Sequence, residues 1–356
     1  MKPPRAPALH GVELLRFVCA FAVLMWHYQH FAFVAYQAHD FDPARQPFHA
    51  LLGFFYRYGL YGVRVFWCIS GCIFFWQYGA AIAARGVTAG RFFVLRFSRL
   101  YPLHLATLLL VALLQALYFG VHQYYFVYRD NGAASFLLQL PIASNWFDGE
   151  RAASFNGPIW SVSLELLAYL FFFAWTRLAG AGAAATAAVA LAAGLAWQLA
   201  GWPVLECLLY FYLGGLVALG HGALQSAPRR RALRAALVLL ATLLALVLAA
   251  AWRGALGVTA VLLLGTPLVL ALLLALRPRG EAGARGLETL GNLTYSSYLL
   301  HFPLQLGIAL ACGLIGVAVP WSSPWLWLLF VGATLALAHL CYRWFEMPAQ
   351  RWLRGR

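Results

Sequence analysis

The chain has 356 residues, of which 63% are hydrophobic and only 10% are charged, and its mean hydropathy is +0.75. Soluble domains carry about 25% charged residues, so this composition excludes a soluble globular protein and indicates a membrane protein with many spans. The formal net charge of +14 does not indicate a nucleic-acid partner, because the basic residues stand between apolar runs, as in the cytoplasmic loops of membrane proteins.

Ten segments of about 20 apolar residues are long enough to cross a hydrocarbon core about 30 Å thick. They predict transmembrane helices near residues 11–32, 58–79, 100–120, 158–176, 181–200, 204–220, 235–252, 256–276, 291–313 and 325–344. Eighteen of the 25 Lys and Arg residues fall on the side of the two termini and five on the opposite side. This bias predicts that both termini are cytoplasmic.

The predicted fold class is therefore all-α, a polytopic membrane helix bundle with about ten transmembrane helices. One transmembrane domain is expected over residues 1–356, with no separate soluble domain. The two long outer loops, near residues 33–57 and 121–157, are rich in aromatic residues. They are expected to form lids over a site that opens outward.

The first predicted helix carries four ionisable residues, Glu13, Arg16, His27 and His30. Each residue of a helix turns the side chain by about 100°, so the step from Arg16 to His27 is three full turns plus about 20°. All four groups then form one stripe, which must face the bundle interior or a water-filled cavity. Glu13 is expected to pair with Arg16, and His30 to be solvated near the outer boundary. His27 is either a hydrogen-bonded structural histidine or a functional one.

The second predicted helix opens with GVRVFWCISGCIFF at residues 62–75. Arg64 lies at membrane depth and needs a partner there. Ser70 and Gly71 offer a small surface at which a neighbouring helix or a substrate can approach, and helix packing is the expected use of the glycine. Glu206, near the outer surface, is a weaker candidate site residue.

Arg96 and Arg99 stand at the cytoplasmic start of the third predicted helix. Their i, i+3 spacing lets them grip one anion together. The alternative is that both anchor the helix to lipid headgroups.

The fourth predicted helix begins with WSVSLE at residues 160–165. Ser161, Glu165 and Tyr169 share one face, and Glu165 lies about 7 Å below Trp160 by helix rise. His27 is expected at a comparable depth, so the carboxylate and the imidazole are a candidate proton-handling pair.

The ninth predicted helix carries a polar face near its middle. Thr294, Ser297, Tyr298 and His301 lie along one side of it, and Pro303 is expected to kink it near the histidine.

Together these segments resemble the integral-membrane acyltransferase family 3, bacterial enzymes that O-acylate cell-surface glycans and related molecules. The resemblance runs from about residue 9 to 352 and rests on six features in family order. These are Arg16 and His27 eleven residues apart, GVRVFWCISG, Arg96 and Arg99 in RFSR, WSVSLE, YSSYLLHFP at residues 295–303 and the closing YRWFEMPAQRWL. Two positions differ from the common pattern, because Arg64 stands where many members carry Asp and Leu166 where many carry a second acidic residue.

The resemblance implies a multi-pass O-acyltransferase of the bacterial inner membrane. The implied donor is cytoplasmic acyl-CoA, with acetyl-CoA expected, and no metal is implied. The implied acceptor is a hydroxyl of an exported glycan, polysaccharide or lipid-linked saccharide. Membrane lipids are the other expected partners.

The resemblance also assigns roles to residues. His27 is the central catalytic residue, as general base or as transient acyl carrier, and the general base is preferred. Arg16 orients the donor or pairs with Glu13, Glu165 fixes a histidine tautomer or handles the proton, and Arg64 stabilises the oxyanion. The remaining assignments are CoA phosphate binding by Arg96 and Arg99, and substrate binding by Trp160, Tyr295, Tyr298 and His301.

A second class of function fits the same charges. A transporter or flippase for a polyprenyl-linked sugar or an anion would use the intramembrane ionisable residues to line its pathway. The chain shows no repeat between its two halves, which weighs against the inverted-repeat transporters. Product chemistry separates the two classes.

Overall fold

The computed structural model describes residues 9–147, 153–226, 230–276, 278 and 280–355. Helices make up most of this part of the chain, and its strands are limited to a hairpin of two-residue strands, Phe33–Val34 and Gln37–Ala38. The helices in chain order are α1 His10–His27, α2 His49–Tyr58, α3 Gly62–Phe74, α4 Ala80–Ala83, α5 Ala89–His122, α6 Ala133–Gln139, α7 Ile159–Ala179, α8 Ala183–Ala200, α9 Pro203–Ser226, α10 Arg230–Trp252, α11 Val258–Leu274, α12 Gly280–Leu314, α13 Pro324–Cys341 and α14 Met347–Leu353. Short 3₁₀ turns occur at Tyr28–Ala32, Pro43–Arg45 and Gly59–Tyr61, and π-helical turns at Phe75–Gly79 and Tyr342–Glu346.

Within the described residues, 9 helical stretches are long and apolar enough to cross a membrane. This confirms the predicted all-α, polytopic architecture. The remaining predicted span, 256–276, corresponds to α11, whose 17 residues extend over about 26 Å. The predicted placement of both termini in the cytoplasm requires α11 to cross as well. Among the basic residues behind that prediction, several lie outside the described residues: Lys2, Arg5, Arg151, Arg229, Arg277, Arg279 and Arg356.

The chain divides into two compact units. Among the described residues, the first unit comprises those of 1–18, 63–89 and 167–291, and the second comprises those of 19–62, 90–166 and 292–356. The unit boundaries fall inside α1, α7 and α12, so each of these helices contributes to both units. A single domain over the whole chain stays a prediction.

In the first unit, two glycines allow α3 and α9 to pack with their backbones in contact. A Cβ atom on Gly71 would lie 1.7 Å from the Phe211 carbonyl oxygen, and one on Gly214 would lie 1.8 Å from the Cys68 carbonyl oxygen. Small residues permit this close approach of membrane helices. The packing interpretation of Gly71 is therefore confirmed, and the neighbouring Ser70 hydroxyl bonds the Tyr169 hydroxyl at 3.0 Å.

In the second unit, the helix predicted to start near residue 58 begins earlier, at His49. A 3₁₀ turn at Gly59–Tyr61 separates α2 from α3. The turn passes so close to α1 that a Cβ atom on Gly59 would lie 1.9 Å from the Ala22 carbonyl oxygen. The sequence analysis did not predict this earlier start, because Gly59 resembles the glycine that ordinarily marks the end of a helix.

The described part of the second predicted outer loop, residues 121–157, is hydrogen-bonded to α5. The Gln115 side chain donates to the Phe126 carbonyl at 3.0 Å and accepts from the Phe126 amide at 2.9 Å. His104, fully buried, donates from Nε2 to the Gln139 carbonyl at 2.7 Å. These bonds satisfy loop backbone groups within the protein, as a low-dielectric surrounding requires.

We predict that Gly214→Val destabilises the protein because the added side chain must push α3 away from α9. Overpacking a tight contact costs about 1–3 kcal/mol or more, so the melting temperature in detergent should fall by several degrees. The matched control is Gly220→Val on the same helix, where no heavy atom of the described residues lies within 4 Å of an added Cβ. Equal melting temperatures for the two variants would contradict the backbone contact.

Candidate active site

His27 is the last residue of α1 and is buried, with 3% of its surface exposed. Its Nδ1 lies 2.9 Å from the Val23 carbonyl oxygen, one helical turn earlier. A carbonyl only accepts hydrogen bonds, so Nδ1 carries the proton and Nε2 carries the lone pair. The helix thereby fixes the tautomer in which Nε2 is the basic and nucleophilic nitrogen.

His301, on α12, repeats this arrangement beside His27. Its Nδ1 lies 3.2 Å from the Ser297 carbonyl oxygen, again one turn earlier, and the two imidazole ring centroids are 4.8 Å apart. Nε2 of His301 is buried and has no hydrogen-bond partner among the described residues. The second unit thus holds two adjacent imidazoles whose Nδ1 atoms are both occupied by their own helices.

His30 is the third histidine of this cluster, and its predicted solvation is wrong. The helix changes to a 3₁₀ turn at Tyr28–Ala32, so His30 does not continue the regular α-helical stripe. Only 4% of its surface is exposed, its ring centroid lies 5.0 Å from that of His27, and Phe33 and Tyr128 pack edge-on against it. Burial raises the pKa of the Tyr128 hydroxyl above its usual value, so that hydroxyl is neutral at physiological pH.

Two buried side-chain amides lie near His301, one on α12 itself and one in the loop before α7. Gln305 donates from Nε2 to the His27 carbonyl at 3.0 Å, and Asn156 donates from Nδ2 to the Leu299 carbonyl at 3.1 Å. These bonds to carbonyls fix the amide orientations and leave Oε1 of Gln305 and Oδ1 of Asn156 as acceptors. Both oxygens are buried without a partner among the described residues. With Nε2 of His301, the cluster therefore presents three acceptor atoms that call for donors.

Ser161 and Tyr298 form a polar contact next to the histidines. Their hydroxyls are 2.8 Å apart, and the Tyr298 hydroxyl donates to the Pro158 carbonyl at 2.9 Å. Glu165, one turn along α7 from Ser161, is half-buried and interacts electrostatically with the Tyr298 and Tyr295 hydroxyls. Main-chain carbonyls hold Nδ1 of both His27 and His301, and the roles suggested for Glu165 stay predictions. Trp160, at the start of α7, is half-buried.

Helix α5 of the second unit carries the predicted arginine pair. Arg96 and Arg99, both half-buried, lie on α5, and Arg99 interacts electrostatically with Tyr295. Tyr295 donates its hydroxyl proton to the Leu100 carbonyl at 2.6 Å. Tyr295 therefore ties α12 to α5 one turn beyond Arg96.

The first unit contains the other predicted charged residues. Arg16 lies 2.7 Å from the Glu13 carboxylate, which confirms the predicted pair. Arg64 has Glu206 as its partner, with Nε and Oε1 2.6 Å apart and both side chains mostly buried. The catalytic roles suggested for Arg16 and Arg64 stay predictions.

The sequence analysis missed Gln305 and Asn156. Gln305 stands four residues after His301 on a helix whose polar face was recognised, so its spacing was a usable signal. Asn156 lies in the loop before α7, where asparagine is common in turns and gives no signal of a site.

Comparison with known proteins gives the family of this chain. A sequence model of a family described as an acyltransferase domain, acyltransferase 3, matches residues 9–343. Among curated proteins, acyltransferase MdmB of Streptomyces mycarofaciens is 31% identical over 179 residues, which cover 49% of this chain and 41% of that protein. The match thus spans less than half of the relative's length. No solved structure matches the chain.

We predict that Arg64 and Glu206 stabilise the first unit as a pair. Removing one partner of a buried ion pair costs about 3–5 kcal/mol, whereas replacing both by apolar residues is often neutral. Arg64→Met and Glu206→Leu should each lower the melting temperature in detergent, and the double variant should recover most of that loss.

Activity of the double variant then separates the two roles of Arg64. A stable double variant that transfers acyl groups normally assigns Arg64 a purely structural role, and a stable but inactive one assigns it a role in the reaction. A double variant as unstable as the single variants would contradict the pair.

Proposed function

Because this chain belongs to the acyltransferase 3 family, as a multi-pass membrane enzyme, we propose that it O-acylates an exported glycan. The proposed donor is cytoplasmic acyl-CoA, with acetyl-CoA expected, and the acceptor is a hydroxyl of a polysaccharide or lipid-linked saccharide. The proposed location is the bacterial inner membrane. The observation that carries the proposal is the set of buried acceptor atoms around His27 and His301.

An acceptor-lined cluster suits a substrate rich in hydroxyl groups. Nε2 of His301, Oε1 of Gln305 and Oδ1 of Asn156 each lack a donor among the described residues. An unsatisfied buried acceptor costs about 1–3 kcal/mol, and a sugar supplies several O–H donors at once. A site built to receive donors also rejects analogues that lack them. We assign His301 to binding an acceptor hydroxyl through Nε2.

His27 is the proposed base. Its Nε2 takes the proton of the acceptor hydroxyl as the oxygen attacks the thioester carbonyl carbon. The carbon–sulfur bond then breaks, CoA leaves as the thiolate, and the thiolate takes the proton back from His27. Such general base catalysis contributes about 10²–10⁴-fold. The same tautomer also suits direct attack by Nε2 and a transient acyl-imidazole.

The other residues take supporting roles in this proposal. Glu165, through Tyr298, helps to handle the proton near the histidines. Trp160 and Tyr295 are substrate-binding residues, and Arg96 and Arg99 hold the CoA phosphates, for which the guanidinium fork is well matched.

We predict that His27→Ala lowers acyl transfer by about 10²–10⁴-fold. The measurement is transfer of isotopically labelled acetyl from acetyl-CoA to glycan in membranes that contain the protein at equal abundance. The control is His39→Ala, since the His39 side chain is 70% exposed. Unchanged transfer by His27→Ala would rule out its catalytic role.

A trapping experiment distinguishes the base from the acyl carrier. The protein is incubated with acetyl-CoA without acceptor, denatured and digested, and the peptide carrying His27 is weighed. A base leaves its mass unchanged, and an acyl carrier adds one acetyl group.

We predict that the double change Arg96→Ala and Arg99→Ala raises the KM for acetyl-CoA at least tenfold, because charge-assisted hydrogen bonds contribute about 1.5–3 kcal/mol. The matched control is the exposed Arg91→Ala on the same helix. A fall in protein abundance with an unchanged KM would instead assign the two arginines to anchoring in lipid headgroups.

A further inference from the structure

The C-terminal segment of the chain returns to the helix that carries Arg96 and Arg99. After α13 a π-helical turn, Tyr342–Glu346, leads into α14. Such turns insert one residue into a helix and are frequent at functional sites. Here the buried Glu346 carboxylate accepts a hydrogen bond from the Ser296 hydroxyl of α12. This bond fixes the point from which α14 leaves.

Arg354 follows directly after α14 and is held on α5. Its Nε donates to the Ser98 hydroxyl at 2.8 Å, and its Nη2 donates to the Leu95 carbonyl at 3.3 Å. Arg354 is half-buried, whereas Arg351, one turn earlier, is exposed. The chain therefore directs one cation of its C-terminal segment at the turn of α5 between residues 95 and 99.

That turn already carries the two predicted phosphate ligands. At about 100° per residue, Arg99 stands about 40° from Leu95 around the helix, and Arg96 a further 60° on. Around α5 the positions follow in the order of the Arg354 docking face, Arg99 and Arg96. The residues that hold Arg354 and the two arginines thus occupy neighbouring positions on one turn of α5.

We propose that Arg354 is a third residue that binds the phosphate groups of the acyl-CoA donor. This inference rests on the proposed function, in which CoA binds at Arg96 and Arg99. CoA carries a diphosphate and a separate 3′-phosphate, so it presents more anionic groups than two arginines can grip bidentately. Ser98 and Leu95 hold the Arg354 side chain in place before the donor arrives, which lowers the cost of ordering it. Anionic lipid headgroups share the phosphate chemistry and are the competing source of the ligand.

The test measures the equilibrium Kd of CoA for the full-length protein in nanodiscs of neutral lipid, which requires no acceptor. Arg354→Gln should weaken CoA binding about tenfold, and the control Arg351→Gln should stay within about twofold, since an exposed charge contributes little. Pantetheine, which lacks all the phosphates, should bind both variants as it binds the parent protein. An equal loss of affinity for CoA and pantetheine would overturn the inference, because it would show damage to the fold.

Two further arms complete the test. If the loss of CoA affinity appears only in nanodiscs with anionic lipid, Arg354 binds a lipid headgroup and the inference is wrong. If Arg354→Gln does not accumulate, Ser98→Ala replaces it, since it removes only the hydroxyl that holds Arg354, and a rise of a few-fold in the CoA Kd is expected. An unchanged CoA Kd in that variant would contradict the inference.

The outcome also separates this inference from the function on which it rests. Weak CoA binding by the Arg96→Ala, Arg99→Ala protein together with normal binding by Arg354→Gln would reject the inference and keep the proposed donor. Failure of the parent protein to bind CoA would reject both.

Discussion

The hydrogen bond from Nδ1 of His27 to the Val23 carbonyl determines what the rest of the cluster can do. A membrane helix forms its backbone hydrogen bonds within itself, yet each carbonyl oxygen keeps a second lone pair. His27 donates to that of the Val23 carbonyl, one turn earlier in α1. The tautomer of His27 is therefore set within α1, and neither a carboxylate nor a water molecule is needed to hold Nδ1. His301 does the same on α12 through Ser297. Two helices thus present imidazoles whose Nδ1 atoms are held by their own backbones and whose Nε2 atoms carry the lone pair.

Polar groups in the membrane-spanning segments are handled in two different ways. Glu13 with Arg16, and Arg64 with Glu206, neutralise each other within the first unit, as the cost of an isolated charge in hydrocarbon demands. The histidine cluster of the second unit is instead left with acceptors that have no donor among the described residues. Stability alone would favour apolar residues at these positions. Under the proposed function, the hydroxyl groups of a saccharide acceptor would supply the missing donors.

Sequence periodicity predicted what is local, and missed what joins distant segments. The ten apolar segments, the Glu13–Arg16 pair and the polar face of α12 follow from spacing along one helix, because i, i+3 and i, i+4 neighbours are set by helix geometry alone. The Ser161–Tyr298 contact joins residues 137 positions apart, and Arg64 pairs with Glu206 on another helix. Spacing along one helix therefore cannot predict either pair. His30 was misjudged for a different reason. A helix is assumed to continue until glycine or proline stops it, and the 3₁₀ turn after His27 contains neither.

Under the proposed function, the arrangement along α12 would let a cytoplasmic donor serve an acceptor on the other side of the membrane. Tyr295 contacts the carbonyl of Leu100, next to Arg99, while His301 lies beside His27. Six residues of helix separate these levels, a rise of about 9 Å. The extended pantetheine arm is longer than this, so the phosphates can stay with the arginines while the thioester reaches the imidazoles. Charged phosphates then never enter the hydrocarbon region, where each charge would cost several kcal/mol. In this proposal only the acyl group has to change sides, and Arg354, held on α5 by Ser98 and Leu95, would help to bind the phosphates that stay on the cytoplasmic side.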